Sequence, residues 1–312
     1  MDRSDVTLER MRTFVRVAER GSLSAVAREL GAGQSTVTRH LRELEAALGA
    51  VLLSRTTRRV TLTDEGSRFY DRCVPILRQV EQAGDEVRQA RGAASGTVRM
   101  SCTAAFGVLH ASRLVFAFQD RHPGIAVDLG LTDERVDLVR DGIDLAIRLG
   151  PLADSSLRLR RLGQSHRLLV AAPSYLRARG RPGTPAELSR HEAVRMANVA
   201  GSDMLLLTGP GGLRESVAVS GRLRVDHGLA ARQALLAGRG IAPAHRWLVD
   251  DLLASGELEP VLPGYTLDPV PLSLLMVPDR AEVVRVRLLA GFLADAIAGL
   301  RGIEAPGAKA RG

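Results

Sequence analysis

The stretch from Ser22 to Gly49 most constrains what this chain can fold into, because it reads as two short helices joined by a tight turn. Ser22 or Ser24 can start the first helix, their hydroxyls capping free backbone N–H groups. That helix is expected to bury Val26, Ala27 and Leu30 and to stop at Gly31. Gly31-Ala32-Gly33 supplies residues that accept positive φ. A second helix, from about Gln34 to Leu48, ends at Gly49. Its apolar residues Val37, Leu41, Leu44 and Leu48 fall at i, i+4, i+7 and i+11, one stripe of an α-helix. At about 100° per residue, Ser35, Arg39 and Arg42 point the other way, with Thr38 on the flank. Such a helix, with one buried stripe and an outer face of hydroxyls and arginines, can enter a DNA major groove. The alternative is a helical hairpin with a solvated charged face.

The residues after Gly49 favour DNA. Leu52-Leu53 and Val60-Thr61-Leu62 are strand-like runs around Ser54-Arg55-Thr56-Thr57-Arg58-Arg59. A hairpin carrying three arginines beside the second helix makes a winged helix-turn-helix, its wing over phosphates or in the minor groove. The candidate DNA contacts are Ser22, Ser24, Gln34, Ser35, Thr36, Thr38, Arg39 and Arg42 on the helices, with Arg55, Arg58 and Arg59 on the wing. Phe14, Val17, Ala18, Gly21-Ser22-Leu23, Ala27, Leu30, Gln34, Val37, Arg39, Leu44-Glu45, Leu48-Gly49, Leu52, Arg55, Leu62-Thr63 and Gly66 complete an ordered pattern. In that pattern residues 8–66 resemble the N-terminal domain of the LysR-type transcriptional regulators. Gly33 departs from it, since the family usually caps this helix with serine; a glycine cap costs only about a few tenths of a kcal/mol.

Length and charge agree with a multidomain regulator. A chain of 312 residues exceeds what one core usually organises. No run approaches the roughly 20 apolar residues of a membrane span, and MDRSDVTLER is too charged for a secretory signal. Two cysteines, Cys73 and Cys102, provide no disulfide framework or metal cluster, so a reducing cytoplasm is expected. The net charge of +8 suits a polyanion, although a single lysine among 43 basic residues points to compositional bias. Aromatic residues, at 3%, are too few for a base-stacking single-strand binder.

Thr63-Asp64-Glu65-Gly66 opens the next helix with a cap and two acids near its positive end. Phe69, Cys73, Ile76, Val80, Ala83 and Val87 then recur in steps of four and three, a seam for pairing with a second helix. Pro75 within it is expected to kink the axis. Packing of this helix on its own domain is the alternative. Gly92-Ala93-Ala94-Ser95-Gly96 marks a hinge.

From Thr97 the pattern alternates. Strands are expected at 97–102, 125–131 and 145–148, and helices at about 106–121 and 134–141, which describes an α/β lobe with a parallel sheet. Leu168–Ala172 crosses into a second lobe, with strands near 217–219 and 223–225, a helix near 229–237 and the run Gly240-Ile241-Ala242. Ser273–Val277 returns to the first lobe, which a helix at about 283–300 closes. Asp133-Glu134-Arg135-Val136-Asp137-Leu138-Val139 and Gly142-Ile143-Asp144-Leu145-Ala146-Ile147-Arg148-Leu149-Gly150 are similar to the family's effector domain, which resembles a periplasmic binding protein. The expected organisation is a winged helix-turn-helix over 1–64, a linker helix for dimerisation over 65–92, and a two-lobed effector domain over 93–301. Lobe 1 takes about 97–165 and 267–301, lobe 2 takes about 166–266, and 302–312 form a disordered tail.

Open α/β sheets bind ligands beyond the carboxyl ends of strands, where helix N-termini offer free N–H groups. Thr103, Ala104 and Phe106 lie at such a junction; Arg148, Gly150, Asn198, Asp226 and His227 are placed after strands in the same way. The resemblance implies an unidentified small-molecule effector held there, often a carboxylate. Thr103 as a plain helix cap and Arg148 as a surface ion pair are the alternatives.

No G-x-S-x-G elbow, phosphate loop, H-E-x-x-H or C-x-x-C occurs, and no histidine stands at metal-ligand spacing, so neither catalysis, metal nor cofactor is expected. A redox-switched regulator would need a cysteine pair in the effector domain, which holds only Cys102. An enzyme fused to a DNA-binding domain and a nucleoid-type binder are the remaining alternatives. The expected partners are double-stranded DNA, the effector, a second copy in a homodimer or dimer of dimers, and RNA polymerase.

Overall fold

The computed structural model describes residues 6–55, 60–89, 94–152 and 156–306. Two compact units divide them: residues 1–95 with Asp137–Gly142, and 96–136 with 143–312.

The first unit begins with α1 (Leu8–Arg20), α2 (Leu23–Glu29) and α3 (Gln34–Leu48). Helix α1 was not singled out in the sequence, yet it places Met11, Phe14 and Val15 on its buried side. Ser22 caps α2, its hydroxyl accepting from Ala25 N–H at 3.3 Å. Gly31 alone takes positive φ, 61°, in the turn. Gly33, at φ −70°, is instead the extended N-cap of α3. Leu30 is 46% exposed rather than buried, because it is the C-cap residue, where the helical stripe has already ended. The core combines Phe14, Val17, Val26, Val37, Leu41 and Leu44.

Strands β1 (Leu53–Arg55) and β2 (Val60–Leu62) form the antiparallel wing, with Arg55 opposite Val60. The proposed contacts Arg58 and Arg59, and the side chain of Arg55, lie outside the described residues. Helix α4 (Asp64–Gln89) starts as expected, Thr63 Oγ1 accepting from Gly66 N–H at 2.9 Å, and continues through Pro75. Its seam divides. Cys73 is buried in the unit's own core and Phe69 packs there, 5.6 Å from Phe14 between ring centroids. Both were expected to face a partner; the first turns of α4 serve instead as the lid of this small domain. Ile76, Val80 and Ala83 remain exposed, and the side chain of Val87 lies outside the described residues.

The second unit starts at β3 (Gly96–Cys102), so Gly96, read as hinge, is already strand, its N–H donating to Gly124 C=O at 3.1 Å. A short helix α5 (Ala104–Phe106) continues through a π-helical turn (Gly107–Ala111) into α6 (Ser112–Arg121). Then come β4 (Ile125–Leu131), β5 (Leu145–Leu149), β6 (Arg158–Ala171), α7 (Pro173–Arg179), β7 (Glu192–Met196), β8 (Met204–Thr208), β9 (Arg214–Ala218) and β10 (Ser220–Val225). The chain closes with α8 (Gly228–Leu236), β11 (Ala242–His245), α9 (Arg246–Ser255), β12 (Glu259–Val261), β13 (Thr266–Met276), α10 (Pro278–Ala281), α11 (Val284–Ala298) and β14 (Ile303–Glu304).

Three expectations fail here. Residues 134–141 form turns, not a helix: Asp137 Oδ1 accepts from the N–H groups of Val139 and Arg140 at 3.0 Å. That local bond offers the backbone an alternative to helix. The sheet is mixed: β3 pairs in parallel with β4 and β5, but β13 runs antiparallel to β5 and β6. The cause is that β6 leaves lobe 1 and β13 returns to it. Finally, the tail is ordered as far as β14, where Ile303 pairs with Ser165. In the run Gly240-Ile241-Ala242 only an isolated bridge, Ile241 to Ala193, precedes β11. The second lobe has its own core, including Leu169, Leu188, Leu207, Ile241 and Leu267.

Candidate DNA interface and effector cleft

The outer face of α3 carries Gln34, Ser35, Arg39 and Arg42, all exposed, with Thr36 and Thr38 half-buried at its edge. Thr38 Oγ1 donates to the Gln34 carbonyl at 2.9 Å. Ser22 and Ser24 hydroxyls stand 3.1 Å apart, so both are partly engaged at the start of α2. Three arginines of α1 are paired with acids: Arg10 meets Glu43 at 2.7 Å, while Arg16 and Arg20 share Glu29 at 3.3 and 3.1 Å. Arg39 and Arg42 have no carboxylate partner among the described residues. An uncompensated charge on an exposed, rigid helix is suited to phosphate or a base edge.

The wing is anchored to α3 by a carboxylate. Glu45 Oε1 accepts from Leu52 N–H at 2.8 Å and Leu53 N–H at 3.2 Å. At Gly66 a Cβ would stand 1.9 Å from the Leu52 carbonyl oxygen, so only glycine lets α4 start this close to the wing.

In the second unit, residues from both lobes meet at the N-termini of α5 and α8. Arg148 is held inside lobe 1, donating to Thr132 C=O at 2.6 Å and Ser101 Oγ at 2.8 Å. Burial lowers its pKa, opposed by the nearby Cys102 and Asp133. Thr103 Oγ1 is buried without a hydrogen-bond partner among the described residues. His227 caps α8, its Nδ1 accepting from Leu229 N–H at 3.2 Å, which leaves the proton on Nε2. Asn198 Nδ2 donates to Asp226 C=O at 2.9 Å, tying those two exposed residues together. Gly150 N–H donates to Pro271 C=O at 2.9 Å and so contacts β13. Phe106 was expected to line the cleft. It is fully buried, its ring 5.1 Å from Trp247 and 5.3 Å from His110, because the helix turns that face inward.

Asp133 is the residue sequence reasoning missed. Its Oδ1 accepts from Ala104 N–H at 3.0 Å, and Oδ2 lies 4.0 Å from His227 Nε2. The helix N-terminus expected to await an anion thus already holds a protein carboxylate. Its place just past the end of β4 was the available signal.

Both thiols are free and buried, and burial pushes Cys73 and Cys102 up to about 12. Such thiols resist oxidation, which depends on exposed thiolate. Among the described residues no helix is long and apolar enough to cross a membrane.

Residues 8–67 match the bacterial regulatory helix-turn-helix protein, lysR family, and residues 91–298 match the LysR substrate binding domain. The HTH-type transcriptional activator AaeR of Escherichia coli K12 is 32% identical over 288 residues, covering 92% of this chain and 93% of AaeR. The full-length structure of AphB, a Vibrio cholerae virulence activator, aligns with a TM-score of 0.65 at 28% identity, covering 93% of this chain and 99% of AphB. CrgA, a LysR-type regulator from Neisseria meningitidis, aligns with a TM-score of 0.61 at 30% identity, covering 93% of this chain and 98% of CrgA.

Proposed function

The chain belongs to the LysR family of transcriptional regulators, and from that premise we propose how its own residues perform the task. Gln34, Ser35, Thr38 and Arg39 approach base edges or adjacent phosphates in a major groove, while the wing arginines hold the backbone. Two copies joined along α4 read an interrupted palindrome, each half-site raising the effective concentration at the other. A small effector sits between the lobes near Thr103, Asp133, Arg148 and His227. It closes the lobes by a population shift and changes how the assembly bends DNA. The protein works by binding rather than catalysis, in the cytoplasm, with RNA polymerase as the downstream partner.

The observation that carries this reading is the pair of arginines on the exposed face of α3, Arg39 and Arg42, which have no carboxylate partner among the described residues while Arg10, Arg16 and Arg20 of α1 do. Arg39→Ala should weaken operator binding by about 1–3 kcal/mol if the guanidinium reads a guanine. A footprinting titration against operator and scrambled DNA decides it. Unchanged operator affinity would remove α3 from the interface, and equal loss on both DNAs would make Arg39 a phosphate contact.

A further inference from the structure

Lobe 1 carries a second concavity that shares no residue with the cleft. It is a half-open hollow of about 300 Å³ between β6, the end of β13 and the helices α10 and α11, near the lower bound of small-molecule sites. Three arginines, Arg158, Arg160 and Arg287, are among its lining residues, against one acid, Glu282. Arg158 Nη1 lies 2.5 Å from Glu282 Oε1, which uses that carboxylate. Arg160 and Arg287 have no acidic partner among the described residues. Like charges gathered in one concavity repel, so an anion between them is favoured, and the planar arginine fork fits a two-oxygen acid.

The rest of the lining is hydrocarbon: Leu159, 47% exposed, is the part that water reaches, with Met276 and Ala290 buried beside it. An inorganic anion would leave that surface wet. An acid with a short apolar body would cover it, and removing apolar surface from water is favourable.

The position adds a consequence. Strand β6 pairs with β13 in lobe 1 and with β11 and β12 in lobe 2; β13 pairs with β5 in lobe 1 and β8 in lobe 2. These are the strands the lobes share, and the concavity grips their lobe 1 end. We propose that it is a second ligand site, for a small organic acid with an apolar body, and that its occupant stiffens the shared strands and alters the response to the cleft effector. The regulatory half rests on the function proposed above; the binding half does not.

Hexanoate is a suitable probe, titrated by calorimetry into the full-length protein at low salt. Saturable binding is expected, at least tenfold weaker in Arg160→Gln/Arg287→Gln, tighter in Glu282→Gln where Arg158 is released, and unchanged in Thr103→Val. Inorganic phosphate, which lacks the apolar body, should bind at least tenfold more weakly than hexanoate. Arg160, Glu282 and Arg287 are exposed, Thr103→Val keeps the shape of its side chain, and matching circular dichroism confirms that the variants fold. Absence of saturable binding, or equal affinity in the double variant, overturns the site. Loss in Thr103→Val with the double variant unaffected overturns it too, while moving the acid to the cleft. Phosphate binding as tightly as hexanoate overturns the ligand class. For the regulatory half, hexanoate should shift the operator titration of the wild type but not of the double variant; a shift that survives in the double variant overturns it.

Discussion

At the residue scale, single carboxylates organise both units. Glu45 holds the two backbone N–H groups that begin the wing, and hydrogen bonds to a charged acceptor are among the stronger contributors to stability. Glu45→Ala should destabilise the DNA-binding unit by about 1–3 kcal/mol, with Glu45→Gln intermediate. Urea unfolding followed by circular dichroism checks this; a midpoint unchanged in Glu45→Ala would mean that water replaces the carboxylate without cost. Leu44-Glu45 was legible as part of a family pattern, but what the carboxylate does was not. Its partners are backbone groups of residues 52 and 53, invisible in a string of side chains. Asp133 escaped notice for the same reason: its partners are an N–H of Ala104 and a histidine far along the chain, His227. Arg39 and Arg42 were legible because their exposure is set by helical phase alone.

At the element scale, periodicity located α3, β4 and α8 closely, since each presents one apolar face at its own repeat. It failed at 134–141, where aspartate side chains compete with the helix for backbone N–H groups. It was ambiguous along α4, because one seven-residue repeat cannot say which surface will cover it. The start of that seam is used within the unit, at Phe69 and Cys73. The residues that follow are open: Ile76 is 42% exposed and Val80 38%. Ile76→Glu/Val80→Glu should therefore leave the monomer folded and abolish self-association, because a paired seam would bury unpaired charge. Analytical sedimentation should show a monomer, and operator affinity should fall at least tenfold. A dimer persisting in this double variant would place the principal interface elsewhere.

At the scale of the whole molecule, stability and pH response depend on contacts between distant segments. Trp247 Nε1 donates to Ser165 Oγ at 2.8 Å, and that oxygen lies 2.8 Å from His245 Nδ1. Burial, aided by Arg167, pushes His245 from 6.5 down to about 3. Between those values the unfolded chain binds a proton that the folded chain refuses. Stability is then retained above about pH 6.5 and lost as pH falls toward 3, by up to about 1.4 kcal/mol per unit. Fluorescence of Trp247, the one tryptophan, against urea at several pH values should show this slope, flattened in His245→Gln; parallel slopes would contradict it. The sequence by itself determined the helix-turn-helix, the wing, the switch to an α/β pattern and the corner at Thr103. All four arise from spacing within short windows, where each residue's phase is set by its neighbours. Tertiary structure alone decided that the sheet is mixed, that the first two residues of the α4 seam are consumed internally, that Phe106 turns inward and that Asp133 fills the anion corner. Each depends on which distant surface arrives first to cover an apolar face or satisfy a backbone group, and that competition is settled only by the packed whole.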